Sequence, residues 1–160
     1  MPTTNLMPLV TRFNKAATKL KYPRIRTEFA PDSTLVIKLS GPRAKYPGSL
    51  TLTNGLPYGD PEQHYYGRIA TDGSLHLFTR DLTQIAAELL TAYLQQLSAD
   101  PAKVALAYGN KTCNCMFCGR RLDTNESRHN GYGPICADKW DLPWGGQYEQ
   151  AKTASLLVDL

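Results

Sequence analysis

The stretch HYYGRIATDGSLHLFTRDLTQIAAELLTAYLQQL, residues 64–97, sets both halves of the fold side by side. Its first part reads as two strands around Asp72-Gly73, a dipeptide that accepts the positive φ angles of a tight reversal. Its second part changes period. Ile85, Leu89, Tyr93 and Leu97 recur at four-residue steps, and Leu82, Ala86, Leu90 and Leu94 form the neighbouring row. A stripe that wide has to cover a sheet or meet another helix. Asp81, with Gln84 three residues later, is the expected capping pair of this helix. Strands followed by a strongly amphipathic helix predict an α+β protein, an antiparallel sheet with a long covering helix.

Upstream segments extend both elements. Leu35, Ile37 and Leu39 alternate with Thr34, Val36 and Lys38, as a half-buried strand requires. GPRAKYPGS, residues 41–49, interrupts the pattern. Leu50 and Leu52 then alternate with Thr51 and Thr53 before Asn54-Gly55, a second reversal point. Earlier still, Leu6, Leu9, Val10, Phe13, Ala17 and Leu20 mark an N-terminal helix that Thr3 or Thr4 would cap and Pro23 would end. Arg12, Lys15 and Lys19 fall largely off its apolar stripe. Downstream, Asp100-Pro101 opens a shorter helix that stops near Gly109.

A chain of 160 residues with 42% hydrophobic and 20% charged residues is sized for one domain, or one domain plus a small appendage. It shows no apolar run of membrane-spanning length. The opening MPTTNLMPLV lacks a basic region followed by a long apolar stretch, so the expected location is the cytoplasm, without a membrane partner. Net charge is +4, unevenly spread: residues 1–50 carry +7 and residues 51–160 carry −3. A basic half suits a polyanion, because each phosphate contact releases counterions; a solubilising face accounts for the charge equally well.

All four cysteines lie in CNCMFCGRRLDTNESRHNGYGPICADKW, residues 113–140. In a reducing compartment such a cluster reads as metal ligands rather than disulfides. Cys115-x-x-Cys118-Gly119 has the spacing of a zinc knuckle, whose two sulfurs reach one ion while backbone amides bond to the thiolates. Asn130 to Pro134 forces a turn, and a short helix over Ile135–Trp140 would carry Cys136 near its positive end. Knuckle, hairpin-like loop and helix-borne ligand predict one structural zinc ion in a treble-clef-like module. For the fourth ligand the sequence offers Cys113 first and His129 as the alternative. His64 and His76 read as packing or surface residues. The expected boundaries are an α+β domain over 1–108, the zinc module over 109–146, and a tail or short helix over 147–160.

Catalysis is not expected. The chain has no His-x-Glu, His-Glu-x-x-His or Gly-x-Ser-x-Gly motif, and no phosphate-binding loop or dinucleotide fingerprint. A site filled by sulfur leaves little room for an activated water. The ion instead organises a segment too small to build its own core, and presents Arg120, Arg121 and Arg128 among aromatic residues. Trp140, Leu142 and Trp144 are expected to pack the module onto the main domain.

The module also resembles a small zinc-binding domain family of uncharacterised function, found in bacteriophage proteins and beside some helicase-like modules. Its pattern, Cys-x-x-Cys-Gly-Arg-x-Leu, a Ser, then Gly-x-Gly-Pro-x-Cys, is matched by Cys115, Cys118, Gly119, Arg120, Leu122, Ser127, Gly131, Gly133, Pro134 and Cys136. The likeness is specific over residues 109–145 and looser over about 12–108, through PRIR, YPGSLTLTNG, YYGRIATDGSLHLF and DPAKVALAYG. His129 lies outside this pattern, which favours Cys113, and the acidic run Asp123 to Glu126 departs from it. The resemblance implies zinc and a phage setting without an activity. The function expected from all of this is non-catalytic nucleic-acid binding in a phage accessory protein, through Arg12, Lys15, Lys19, Lys21, Arg24, Arg26, Arg120, Arg121 and Arg128. The alternative is an inhibitor or adaptor that docks on host transcription or defence machinery.

Overall fold

The computed structural model describes residues 5–57 and 59–144. The proposed Thr3 or Thr4 cap and the segment 147–160 lie outside the described residues. Element order is α1 (Met7–Ala17), β1 (Arg24–Ala30), β2 (Ser33–Leu39), β3 (Leu50–Thr53), β4 (Tyr65–Ile69), β5 (Leu75–Leu77), α2 (Gln84–Ala99), α3 (Pro101–Thr112), α4 (Asn125–Asn130) and α5 (Pro134–Lys139). The class is α+β.

The five strands form an antiparallel meander in sequence order. Ile25 pairs with Ile37, Ile37 with Leu52, and Leu50 with Ile69, so one face is apolar throughout. Strand β1 is an element that the sequence reading passed over. Arg24, Arg26 and Glu28 alternate with buried Ile25, Thr27 and Phe29, a clean period of two. The tight turn at Asp72-Gly73 is present: Gly73 has φ +88° and its amide donates to the Ala70 carbonyl at 2.9 Å. A Cβ on Gly73 would lie 2.6 Å from the Met7 nitrogen, so this turn packs directly against the start of α1. Asn54-Gly55 differs from expectation. It opens the long connection between β3 and β4 rather than a two-residue hairpin, with the Asn54 amide donating to the His64 carbonyl at 3.0 Å.

The helices cover the apolar face. In α1 the buried set is Leu9, Val10, Phe13 and Ala16, so Ala16 replaces the expected Ala17, and the helix ends well short of Pro23. In α2 the cap is Thr83, whose hydroxyl accepts from the Ala86 amide at 3.1 Å. Asp81 is instead turned back toward the sheet, accepting from the Tyr65 amide at 3.3 Å. Leu82, Leu90 and Leu94 are buried, while Ile85 and Leu89 of the other row face solvent. Asp100 caps α3 as expected, with Pro101 in its first turn, and the helix runs past Gly109 to Thr112.

The expected boundary between 108 and 109 falls within α3. A single buried cluster runs from Leu6 and Phe13 through the sheet to Met116, Phe117, Leu122, Tyr132, Trp140 and Leu142. The cysteine-bearing segment thus shares its core with the sheet and helices. Trp140 is fully buried and lies edge-on to Phe13 of α1, ring centroids 4.9 Å apart and planes at 88°. Edge-to-face geometry places ring hydrogens against the electron-rich face of the neighbour. A backbone contact joins the module to the sheet, the Arg26 amide of β1 donating to the Met116 carbonyl at 2.9 Å.

Candidate metal centre

Cys113 ends α3 in the left-handed conformation, φ 61°, and this reverses the chain into the knuckle. Two backbone bonds close the reversal: Leu122 N–H to Cys113 C=O at 2.9 Å, and Cys115 N–H to Arg120 C=O at 2.9 Å. Gly119, φ +76°, donates to the Cys115 carbonyl at 2.8 Å, which wraps the backbone around the Cys115 and Cys118 sulfurs. The segment expected as a hairpin-like loop is helical. Thr124 caps α4 by accepting from the Ser127 amide at 3.0 Å, and Gly131 ends it at φ +87°. Gly133-Pro134 then starts α5, with Cys136 in its first turn.

These elements bring the Cys115, Cys118 and Cys136 sulfurs within 4.8 Å of one another. Tetrahedral zinc with Zn–S bonds of ~2.3 Å sets its sulfurs ~3.8 Å apart, so the trio needs little closure to grip one ion. Cys115 and Cys136 are buried and Cys118 is exposed; all are free thiols. Among the described residues no fourth His, Cys, Asp or Glu joins them. Cys113 and His129 both stand outside the group, Cys113 exposed at the end of α3 and His129 half-buried in α4.

The thiols are electrostatically linked. A hydrogen bond from Cys136 lowers the Cys115 thiol to about 6, helped by the Phe117 and Cys118 amides. Cys136 holds its proton tightly as the donor in that bond, and partial burial raises Cys118. Without a cation, one charge is the favoured load for three sulfurs in this space. A dication removes that restriction, and its binding displaces protons. The donor set therefore fits a thiophilic dication. The three cysteines themselves line a cavity of about 350 Å³, together with Arg120, Arg121 and Lys139.

The nine basic residues singled out from the sequence separate into two groups. Arg12 donates to the Trp140 carbonyl at 3.1 Å and also to the Asp141 carbonyl. Lys15 pairs with Asp141 at 3.0 Å, and Lys19 with Asp138 at 3.2 Å. Arg128 donates to the Leu122 carbonyl at 3.0 Å and to the Asp123 carbonyl at 3.3 Å. Arg12, Lys15 and Lys19 thus fasten the N-terminal helix region to the module, and Arg128 fastens the module internally. Lys21, Arg24, Arg26, Arg120 and Arg121 are exposed, Arg121 lying 3.8 Å from Asp123. Lys38 and Arg68, absent from the sequence-derived set, share a sheet face with Arg24; period-two alternation was the signal that marked them.

Fold and site together define an α+β protein whose C-terminal module is built around a three-cysteine cluster able to hold a metal ion. Over residues 105–141, from within α3 to Asp141, the chain is similar to DUF6011, a family of unknown function. No curated protein and no solved structure matches the chain.

Proposed function

We propose that this protein is a non-catalytic, zinc-stabilised nucleic-acid-binding protein. The observation that carries the reading is the convergence of three cysteine sulfurs from both ends of one loop-rich segment. Thiolate donors on a knuckle and a helix start favour zinc, and the sequence carries no His-x-Glu or His-Glu-x-x-His motif to set a general base beside it. A segment whose helices have six residues each gains its order from such an ion. Exposed Lys21, Arg24, Arg26, Arg120 and Arg121 supply charge for phosphate contacts. The resemblance of the cysteine pattern to a domain of phage proteins supports a role in infection. A second reading, an adaptor that docks on a host protein, draws on Ile85 and Leu89, 72% and 47% exposed on α2.

Two measurements test the proposal. Elemental analysis of protein purified without chelators is expected to find about one zinc per chain; none would remove the metal from the reading. Binding to mixed-sequence oligonucleotides is expected to weaken steeply as salt rises. Salt-insensitive capture of a protein partner that Ile85→Lys abolishes would favour the adaptor.

A further inference from the structure

The sheet has a second face, and its register aligns that face's chemistry. Directly paired residues on antiparallel strands share a side. Arg24 pairs with Lys38, Lys38 with Thr51, Thr51 with Arg68, and Arg68 with His76. One cross-strand row therefore carries three permanent cations and a histidine over all five strands, a span of ~19 Å at ~4.8 Å per strand. Arg26 lies two residues beyond Arg24 on the same side. Arg24, Arg26, Lys38 and His76 are exposed and Arg68 is half-exposed.

Aromatic rings accompany the row. The Arg68 guanidinium lies 3.7 Å from the Tyr46 ring centroid, with the Lys45 ammonium 5.5 Å from the same ring. Stacking of this kind holds the guanidinium plane while leaving its edge N–H groups for an acceptor. Strand parity puts Phe78 on the side of His76, and the bulge before Thr53 puts Tyr65 there too. Their rings lie 5.5 Å apart, and Phe78 is 42% exposed. The acids near this face have partners of their own. Glu28 pairs with Lys111 at 2.9 Å, and Asp81 accepts from the Tyr65 amide at 3.3 Å and lies 3.4 Å from His64. Asp72 accepts from the Ser74 hydroxyl at 2.6 Å and amide at 2.9 Å, that hydroxyl also lying 3.2 Å from His76 Nε2.

We infer that this open sheet face is the binding surface for single-stranded nucleic acid, with Arg24, Lys38 and Arg68 contacting phosphates and Phe78 and Tyr65 stacking on bases. The inference rests on the nucleic-acid reading above and gives it a location and a strand preference. A row of cations ~19 Å long follows a few nucleotides of extended backbone, and exposed rings meet bases only where these are unpaired. A duplex conceals its base faces, so it gains the charge term alone. The α1 cations and Arg128 already serve carbonyls and carboxylates of the module, whereas among the described residues no ion pair holds Arg24, Lys38 or Arg68.

The test is fluorescence anisotropy with a labelled oligothymidylate and a mixed-sequence duplex of equal length, across a salt series. The zinc-loaded full chain is expected to prefer the single strand by about tenfold or more. Arg24→Ala/Lys38→Ala/Arg68→Ala is expected to weaken binding at least tenfold and to lower the salt slope by about 2, near 0.7 per lost contact. Phe78→Ala is expected to cost about tenfold with the slope unchanged, and Phe78→Tyr to restore binding. Unchanged far-UV circular dichroism checks that each variant folds. Duplex preference, or binding lost with Arg120→Ala/Arg121→Ala but kept in the sheet variants, overturns the sheet site and leaves the nucleic-acid reading standing. No binding to either probe overturns both.

Discussion

Strand β1 and the cysteine knuckle touch through one backbone bond, yet different physics holds each. The sheet is fixed by pairing of Ile25, Ile37, Leu50, Leu52 and Ile69 beneath three amphipathic helices, so its order comes from buried hydrocarbon. The segment after Cys113 has six-residue helices, too short to persist alone, and gathers three thiols near buried Phe117, Tyr132 and Trp140. Its packing on the sheet and helices supplies part of its order, and on the proposed reading an ion supplies the rest. The difference teaches that one continuous core can contain two regions with separate conditions for stability.

The widest break between them should come from removing the metal. Structural zinc contributes on the order of 10 kcal/mol in finger peptides, so chelation or Cys136→Ser is expected to disorder residues 113–144 while the sheet stays folded. Hydrogen exchange checks this: amides of β2 to β4 keep protection and those of the module lose it. Uniform loss would show that the two regions melt as one. Next in size is Trp140→Ala. Deleting a fully buried indole packed on Phe13 and Phe117 is expected to cost roughly 3–5 kcal/mol, read from the denaturation midpoint of the zinc-loaded protein.

Gly131→Ala sharpens the comparison at the junction of α4 with α3. Its φ is +87°, and a Cβ there would sit 2.6 Å from the Ala105 carbonyl oxygen. Backbone strain and that clash together are expected to cost about 1–3 kcal/mol or more, with weaker metal retention as the second readout. The smallest effect is expected at Cys113. Its sulfur stands outside the trio, so Cys113→Ser should keep full zinc stoichiometry and shift stability by less than about 0.5 kcal/mol. Loss of zinc in that variant would make Cys113 the fourth ligand after all.

Much of the architecture was legible where period and length agreed. The Leu90–Leu94 row of α2, the cap and proline of α3, and the Asp72-Gly73 reversal each carry a local signal strong enough to survive tertiary context, whereas Ile85 and Leu89 of the other row stay exposed. Cys115 and Cys118 were legible because knuckle spacing is a local chemical constraint, and Cys136 because the turn ending at Pro134 opens the short helix that carries it. Strand β1 is less legible because Arg24, Arg26 and Glu28 make the segment read as charge, while the alternate positions Ile25, Thr27 and Phe29 carry the pattern. Helix α4 was missed for a different reason. NESRHN is polar and short, with no apolar period, and only the Thr124 hydroxyl and Gly131 define its ends. The roles of Arg12, Lys15 and Lys19 could not be read locally, since their partners lie more than a hundred residues away.

The Met116 carbonyl occupies a backbone donor on the outermost strand, at Arg26. That strand is seven residues long, and unguarded borders of this kind template further chains. On the proposed reading, a knuckle seated by an ion would keep that donor covered and so act as a stopper against polymerisation. Scarcity of metal would then announce itself less as a lost activity than as clumping of the protein.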